Sequence, residues 1–388
     1  MFREVLIGSL NKKYMNNEIP KDYHEHREEK PNIYVVIVIA ILSLAGIIFA
    51  FSKPLGEDII VGRVTQVLTE RETTLNIGNM DKIVKEQDLL VEITEGKEKK
   101  EINILNDYKP VSKGEKIFLR SSSFGESEWS IDNVSRIKEL SLLLIFFIVL
   151  VILTSGWKGF YSLIGLLFTF AIIFVFMVPQ ILKGAPPVTI GISSAAFVLI
   201  PALYLSYGFN KKSIAAFLGI IISLVFVGLA SNYFIKSLDF TGAGEASLYL
   251  DMATNSSINL MGLMIAGIII AAVGVLDDVA AIQSSVVFSL SSANPNLRGF
   301  KLFREAMHVG KDHISAVVNT LVLAYTGASL PLILLLYIQR APLEYFVSLE
   351  AVAEEIARTL ISSSGLLLAV PLTTIIAVFM VDRKYSIF

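Results

Sequence analysis

The chemistry of this chain is concentrated in a few polar residues set inside apolar runs. Residues 274–285 read Gly-Val-Leu-Asp-Asp-Val-Ala-Ala-Ile-Gln-Ser-Ser, after "INLMGLMIAGIIIAAV" and before "VVFSL". An ionised carboxylate at the centre of a bilayer costs about 2.5–3.5 kcal/mol on the lenient insertion scale. Such groups therefore face a bundle interior or a wet cavity and are functional candidates. Two neighbouring carboxyls in low dielectric titrate as a coupled unit and can carry a proton. Adjacent residues on a helix point about 100° apart, so Asp277 and Asp278 cannot both face one small site. Gly274 stands four before Asp278, and Gly267 a heptad earlier. That stripe would let another helix approach closely. The expectation is Asp278 inward and Asp277 toward the rim or a basic partner. The alternative is an interfacial extension with solvated acids. The run Ile258–Leu290 has 33 residues, about 49 Å of helix, and exceeds the hydrocarbon thickness. The acids could therefore lie at midplane or near one end.

Two further runs carry polar interruptions. "NTLVLAYTGASLPLILL" holds Asn319, Thr320, Thr326, Gly327, Ser329 and Pro331, and "ISSSGLLLAVPLTT" holds Ser364, Gly365 and Pro371. Proline removes a backbone donor and clashes with the carbonyl four back. Discontinuous spans of this kind form ion or substrate sites in many transporters, although Gly and Pro are also ordinary in membrane helices. Glu354 stands four before Arg358, a stabilising helical pair. The arginine is either a surface partner of Glu354 or dips inward to pair with an acid.

The elements that must position these groups are membrane helices. The chain of 388 residues is 54% hydrophobic and 18% charged, against about 45–50% and about 25% in soluble domains. Eight runs are long enough to cross a bilayer: Ile33–Phe51, Leu140–Gly156, Tyr161–Leu182, Val188–Ser206, Ser213–Phe234, Ile258–Ala280, Ile314–Ile338 and Ile356–Val381. With both termini cytoplasmic, the inner segments hold fifteen Lys and Arg against four in the short outer links, the asymmetry of the positive-inside rule. The first run follows a long polar tail and reads as a retained anchor rather than a cleaved signal. The link "NPNLRGFKLFREAMHVGKDH" combines apolar and basic residues at helical spacing, and is expected to lie on the inner leaflet.

Residues 52–138 separate the first two runs and are expected outside the cytoplasmic membrane. Candidate strands Ile59–Leu68, Thr73–Ile77, Leu89–Ile93, Glu101–Leu105 and Lys116–Arg120 alternate with turn residues. Five short strands suit a small barrel of OB-like type. It reads as a binding surface or as a solvated spacer. Trp129 reads as a ligand platform or, more simply, as core.

The exclusions are firm on some points. A net charge of −2 offers no field for nucleic acid. With no cysteine, disulfides, thiolate nucleophiles and Cys-bound metals are out. His24 and His26 are two ligands in a tail, too few for a metal site. An intramembrane protease needs a second acid or a base from another helix, and none is evident. No cofactor is implied, and an enzyme is not expected.

At these residues a resemblance becomes specific. "INLMGLMIAGIIIAAVGVLDDVAAIQSS", "NPNL", "FREAMHVGKD", "VNTLVLAYTGASLPL" and "AEEIARTLISSSGLLLAVPLT", in that order over residues 258–380, resemble the YibE/F-like family of bacterial multi-pass membrane proteins. The family layout resembles this chain elsewhere: one helix, a small exterior β domain, then the remaining spans. Its Gly-x-x-x-Asp-Val-Ala pattern falls on Gly274, Asp278, Val279 and Ala280. Asp277 departs from it, since an apolar residue is usual there. The resemblance implies an architecture and a cell-membrane location, and little biochemistry. A fainter resemblance links Gly274–Pro371 to the SecD/SecF and RND export proteins, in an aspartate helix followed by an amphipathic link and two spans.

The reading is an α-helical polytopic membrane protein with eight transmembrane helices and an OB-like domain between the first two. Its parts are a tail at 1–32, a first helix at 33–51, the exterior domain at 52–138 and seven helices at 139–388. The expected function is that of an ion-coupled transporter or export component working on a small molecule or ion. The alternative is a scaffold whose exterior domain binds a partner or envelope component. The bilayer, a second copy or another membrane protein are the expected partners.

Overall fold

The computed structural model describes residues 32–52, 59–77, 80–95, 98–107, 109–121, 129–242, 258–338, 340 and 342–385. The tail with His24 and His26 and most of "SSSFGESE" lie outside them. Helix α1, Ile33–Phe51, starts at Asn32, whose side chain accepts from Tyr34 N at 3.0 Å. Strands β1 (Ile59–Ile77), β2 (Met80–Glu95), β3 (Glu98–Asn106), β4 (Lys116–Ser121) and β5 (Trp129–Val134) follow. They form one antiparallel sheet in the order β3-β2-β1-β4-β5, and β3 also comes into contact with β5. Alternation sends Val64, Leu89, Val91, Ile93, Ile104, Ile117 and Leu119 to one core. Trp129 packs against it, as expected of a core residue.

Only Ile59–Arg63 of β1 pairs with β4, and only Gln87–Glu95 of β2 pairs with β3. The far ends of both strands, Arg71–Ile77 with Met80–Glu86, pair as a two-stranded arm about 23 Å long. Lys85 Nζ donates to Glu70 Oε1 at 3.0 Å at its base. That bond holds the Glu70 carboxyl below, and the Lys85 ammonium above, their ordinary ranges.

Helix α2 (Ile137–Ala171) continues through a π-helical turn at Ile172–Met177 into α3 (Val178–Leu182). The 46 residues Ile137–Leu182 would make about 69 Å of straight helix, twice a bilayer core. The stretch is not straight. Gly156 sits at φ 56°, ψ −138°, a conformation costly for any residue with a Cβ. An added Cβ at Gly159 would stand 2.7 Å from Val151 O, so the chain doubles back there.

The remaining helices are α4 (Pro187–Tyr207), α5 (Lys211–Ser237), α6 (Leu260–Ala293), α7 (Gly299–Ala328), α8 (Leu330–Ile338), α9 (Leu343–Ser348) and α10 (Glu350–Tyr385). Helix α6 is central and touches α4, α5, α7 and α10. The tightest approach is between α5 and α10, where an added Cβ at Gly219 would collide with Thr373 and one at Gly365 with Val227. Six helical stretches among the described residues are long and apolar enough to cross a membrane: Ile33–Phe51, Ile137–Leu182, Pro187–Leu205, Lys211–Ser237, Leu260–Ala293 and Glu350–Val381.

Two expectations need correcting. The basic link does not lie apart on a leaflet, because Leu302, Ala306 and Gly310 are buried and α7 runs unbroken from it into the apolar run. The seventh run does divide at Ser329, but the eighth does not: α10 passes through Pro371. Pro331 falls in the first turn of α8, where its missing N–H has no helical partner to lose. Around Pro371, buried Leu366, Ala369, Val370, Thr373 and Thr374 are packed on both sides, and that packing holds the axis.

Gly219→Leu should destabilise the protein by about 1–3 kcal/mol through overpacking. Gly267→Leu, where an added Cβ meets nothing within 4 Å, should be nearly neutral. Thermal unfolding in detergent checks both.

Candidate functional site

Helix α6 carries the acids, and its neighbours decide where they point. Ser284 Oγ donates to Lys212 O at 2.8 Å, and an added Cβ at Gly191 of α4 would touch Ala266 Cα at 3.1 Å. Asp277 stands eleven residues after Ala266 and seven before Ser284. Both intervals bring a helix round to within about 20° of the same direction. Asp277 therefore faces the α4–α5 side. It is half-buried, and its Oδ1 is shut from solvent with no hydrogen-bond partner. Asp278 is exposed. This reverses the expected orientation. The stripe Gly267–Gly274–Asp278 is exposed among the described residues, and an added Cβ at either glycine meets nothing within 4 Å. The small residues thus form an exposed stripe rather than a close helix contact. Among the described residues no Lys or Arg forms an ion pair with either acid.

Two groups that sequence reasoning passed over complete the cluster. The His313 imidazole of α7 lies within electrostatic reach of Asp278, and its Nε2 is buried without a partner. The Tyr207 phenol, at the end of α4, lies within reach of both carboxylates. The available signal was that His313 marks the point where the basic half of α7 gives way to its apolar half. Depth also follows. Asp277 lies about 10 Å along the axis from Ser284, which is held to the α4–α5 turn. The acids are therefore about two helical turns from the α4–α5 turn that carries Lys211 and Lys212. Carboxyl, imidazole and phenol from three helices make a set that can take up and pass a proton.

Gln283 anchors this end. Its Nε2 donates to Ala306 O at 3.0 Å and to Thr374 Oγ1 at 2.8 Å, joining α6 to α7 and α10.

The other candidate residues do not join the acids. Thr326 and Ser329 line a cavity of about 270 Å³ beside the α7–α8 break, with Glu355 and Thr359 of α10. Thirteen residues of α7, about 20 Å, separate Thr326 from His313. Gly327 and Pro331 adjoin that cavity on the exposed side, and Asn319 is exposed between the two clusters. Ser364 Oγ donates to its own helix at Leu360 O, 2.8 Å. Gly365 packs under Val227, and Pro371 is half-buried in α10. The ion pair of Arg358 is with Glu355, at 3.8 Å, rather than with Glu354. Arg358 Nε makes that pair, and Glu354 Oε1 is buried without a hydrogen-bond partner.

A family model described as YibE/F-like protein matches residues 143–383. The chain belongs to the YibE/F-like family. The match takes in every helix from α4 to α10, and with the apolar helices it makes this a multi-pass membrane protein. No curated protein and no solved structure matches the chain.

Gln283→Ala removes two interhelical hydrogen bonds, each worth about 0.6–2 kcal/mol in membranes. It should lower stability by about 1–3 kcal/mol, read as a lower unfolding temperature in detergent.

Proposed function

We propose that this YibE/F-like protein is an ion-coupled transporter or export component of the bacterial cytoplasmic membrane, and that protons are exchanged at the cluster of Asp277, Asp278, His313 and Tyr207. One observation carries the reading. A carboxylate oxygen and an imidazole nitrogen are both buried without partners in the same cluster, beside the exposed glycine stripe of α6. Groups left so are costly unless they exchange protons or bind something. The lysines at the α4–α5 turn support a cytoplasmic position for this end of the bundle by the positive-inside rule, with both termini on that side and residues 52–138 outside. Dividing Ile137–Leu182 at Gly156 and counting α7 with α8 gives eight crossings. The approach of β3 to β5 supports closing the exterior sheet into an OB-like barrel. The reading involves no catalysis.

The test is proton uptake into proteoliposomes under an imposed potential. Asp277→Asn and Asp278→Asn should each reduce it about tenfold or more, the scale of loss when a positioned acid–base group is removed. Uptake at the unmutated rate in both variants would remove the proton role.

A scaffold reading has its own support in the Arg71–Glu86 arm, which pairs with no third strand. A two-stranded ribbon is at best marginally stable alone, so it favours a partner outside the cell. On that reading, deleting 56–136 abolishes function while Asp278→Asn is silent; the transport reading requires Asp278→Asn to fail in the same assay.

A further inference from the structure

The α5–α10 contact carries a second, unassigned polar feature at the end opposite the acids. Gly219 meets Thr373 and Val227 meets Gly365, eight residues apart on both antiparallel helices. Extending that register places Ser231 of α5 level with Ile361, within one residue of Ser362 of α10. Both residues are at least nine-tenths buried, with relative exposures of 0% and 4%. Neither hydroxyl has a hydrogen-bond partner in the protein, although Ser223 of the same seam donates to its own helix at Gly219 O. Arg358, one turn beyond Ser362, and Glu354, one turn further, share that face of α10. Glu354 adds a buried Oε1 without a hydrogen-bond partner, and the Arg358 guanidinium beside it is ion-paired with Glu355 at 3.8 Å. Three unpartnered polar atoms, each costing about 1–3 kcal/mol if left bare, call for a polar partner in the seam. Polar cavities of this kind hold water, which satisfies two to four groups per molecule.

We propose that water enters the bundle from the Arg358 end and occupies the α5–α10 seam as far as Ser231 and Ser362. Val227 packed under Gly365 closes it there. This goes beyond the transport reading by giving the exterior side a hydrated inlet, and its test needs no flux, so the two can fail separately.

The chain has no cysteine, so single cysteines report without background. Ser362→Cys and Ser231→Cys are treated with a small cationic methanethiosulfonate in intact vesicles and read by mass. Leu360→Cys, 61% exposed on the apolar surface, and Ala369→Cys, 0% exposed beyond the closure, are the controls. Only a thiol in water ionises readily, and each unit of thiol pKa changes the thiolate fraction tenfold, so both serine sites should react at least about tenfold faster than the controls. Rates at Ser362→Cys and Ser231→Cys no greater than at Ala369→Cys, in variants that give the normal gel-filtration peak, would overturn the proposal. Should one variant misfold, the other carries the same readout.

Discussion

Close backbone approach at small residues is the constraint on which the membrane part depends. Lipid tails are as apolar as leucine, so burying apolar side chains does little to draw helices together within a bilayer. What remains is packing, and packing is best where one side chain is missing. Gly219 under Thr373, Gly365 under Val227 and Gly191 against Ala266 lock α10 to α5 and α4 to α6. These contacts fix the rotation and height of each helix, and through them the direction in which every polar residue points.

The acid cluster is a consequence of that rotation. Because Ala266 faces α4 and Ser284 faces the α4–α5 turn, Asp277 is turned inward between them. The exposed glycine stripe follows from the same fact. Four neighbours surround most of α6, and the side bearing Gly267, Gly274 and Asp278 is left exposed. His313 reaches the cluster because Gln283 ties α6 to Ala306 of α7 two turns away. The bundle thus has polar groups at both ends: acids, imidazole and phenol at one, Arg358 and Glu354 with buried hydroxyls at the other. Tightly packed small residues lie between.

Much of the architecture was legible in the sequence, because apolar length and period answer directly to bilayer thickness and helix pitch. The strands at Ile59–Leu68 and Lys116–Arg120 and the break beside Ser329 follow from local pattern. What was not legible depended on which helices meet. A glycine stripe reads as a contact surface, yet on α6 it is the exposed side. An i, i+4 pair reads as an ion pair, yet Arg358 turns to Glu355. Pro371 reads as a break, yet the packed flanks of α10 carry the helix through. His313 was placed in a link because charge surrounds it, although α7 continues without interruption into the apolar run.

The central claim is that a carboxyl of the Asp277–Asp278 pair changes protonation within the folded bundle. Infrared difference spectroscopy of the protein in lipid, taken across a pH titration, reads this directly in the carbonyl stretch of protonated carboxylic acids. The account predicts a titrating band that disappears in the Asp277→Asn, Asp278→Asn double variant. A titration in which that band is absent from the unmutated protein, or persists unchanged in the double variant, would contradict it.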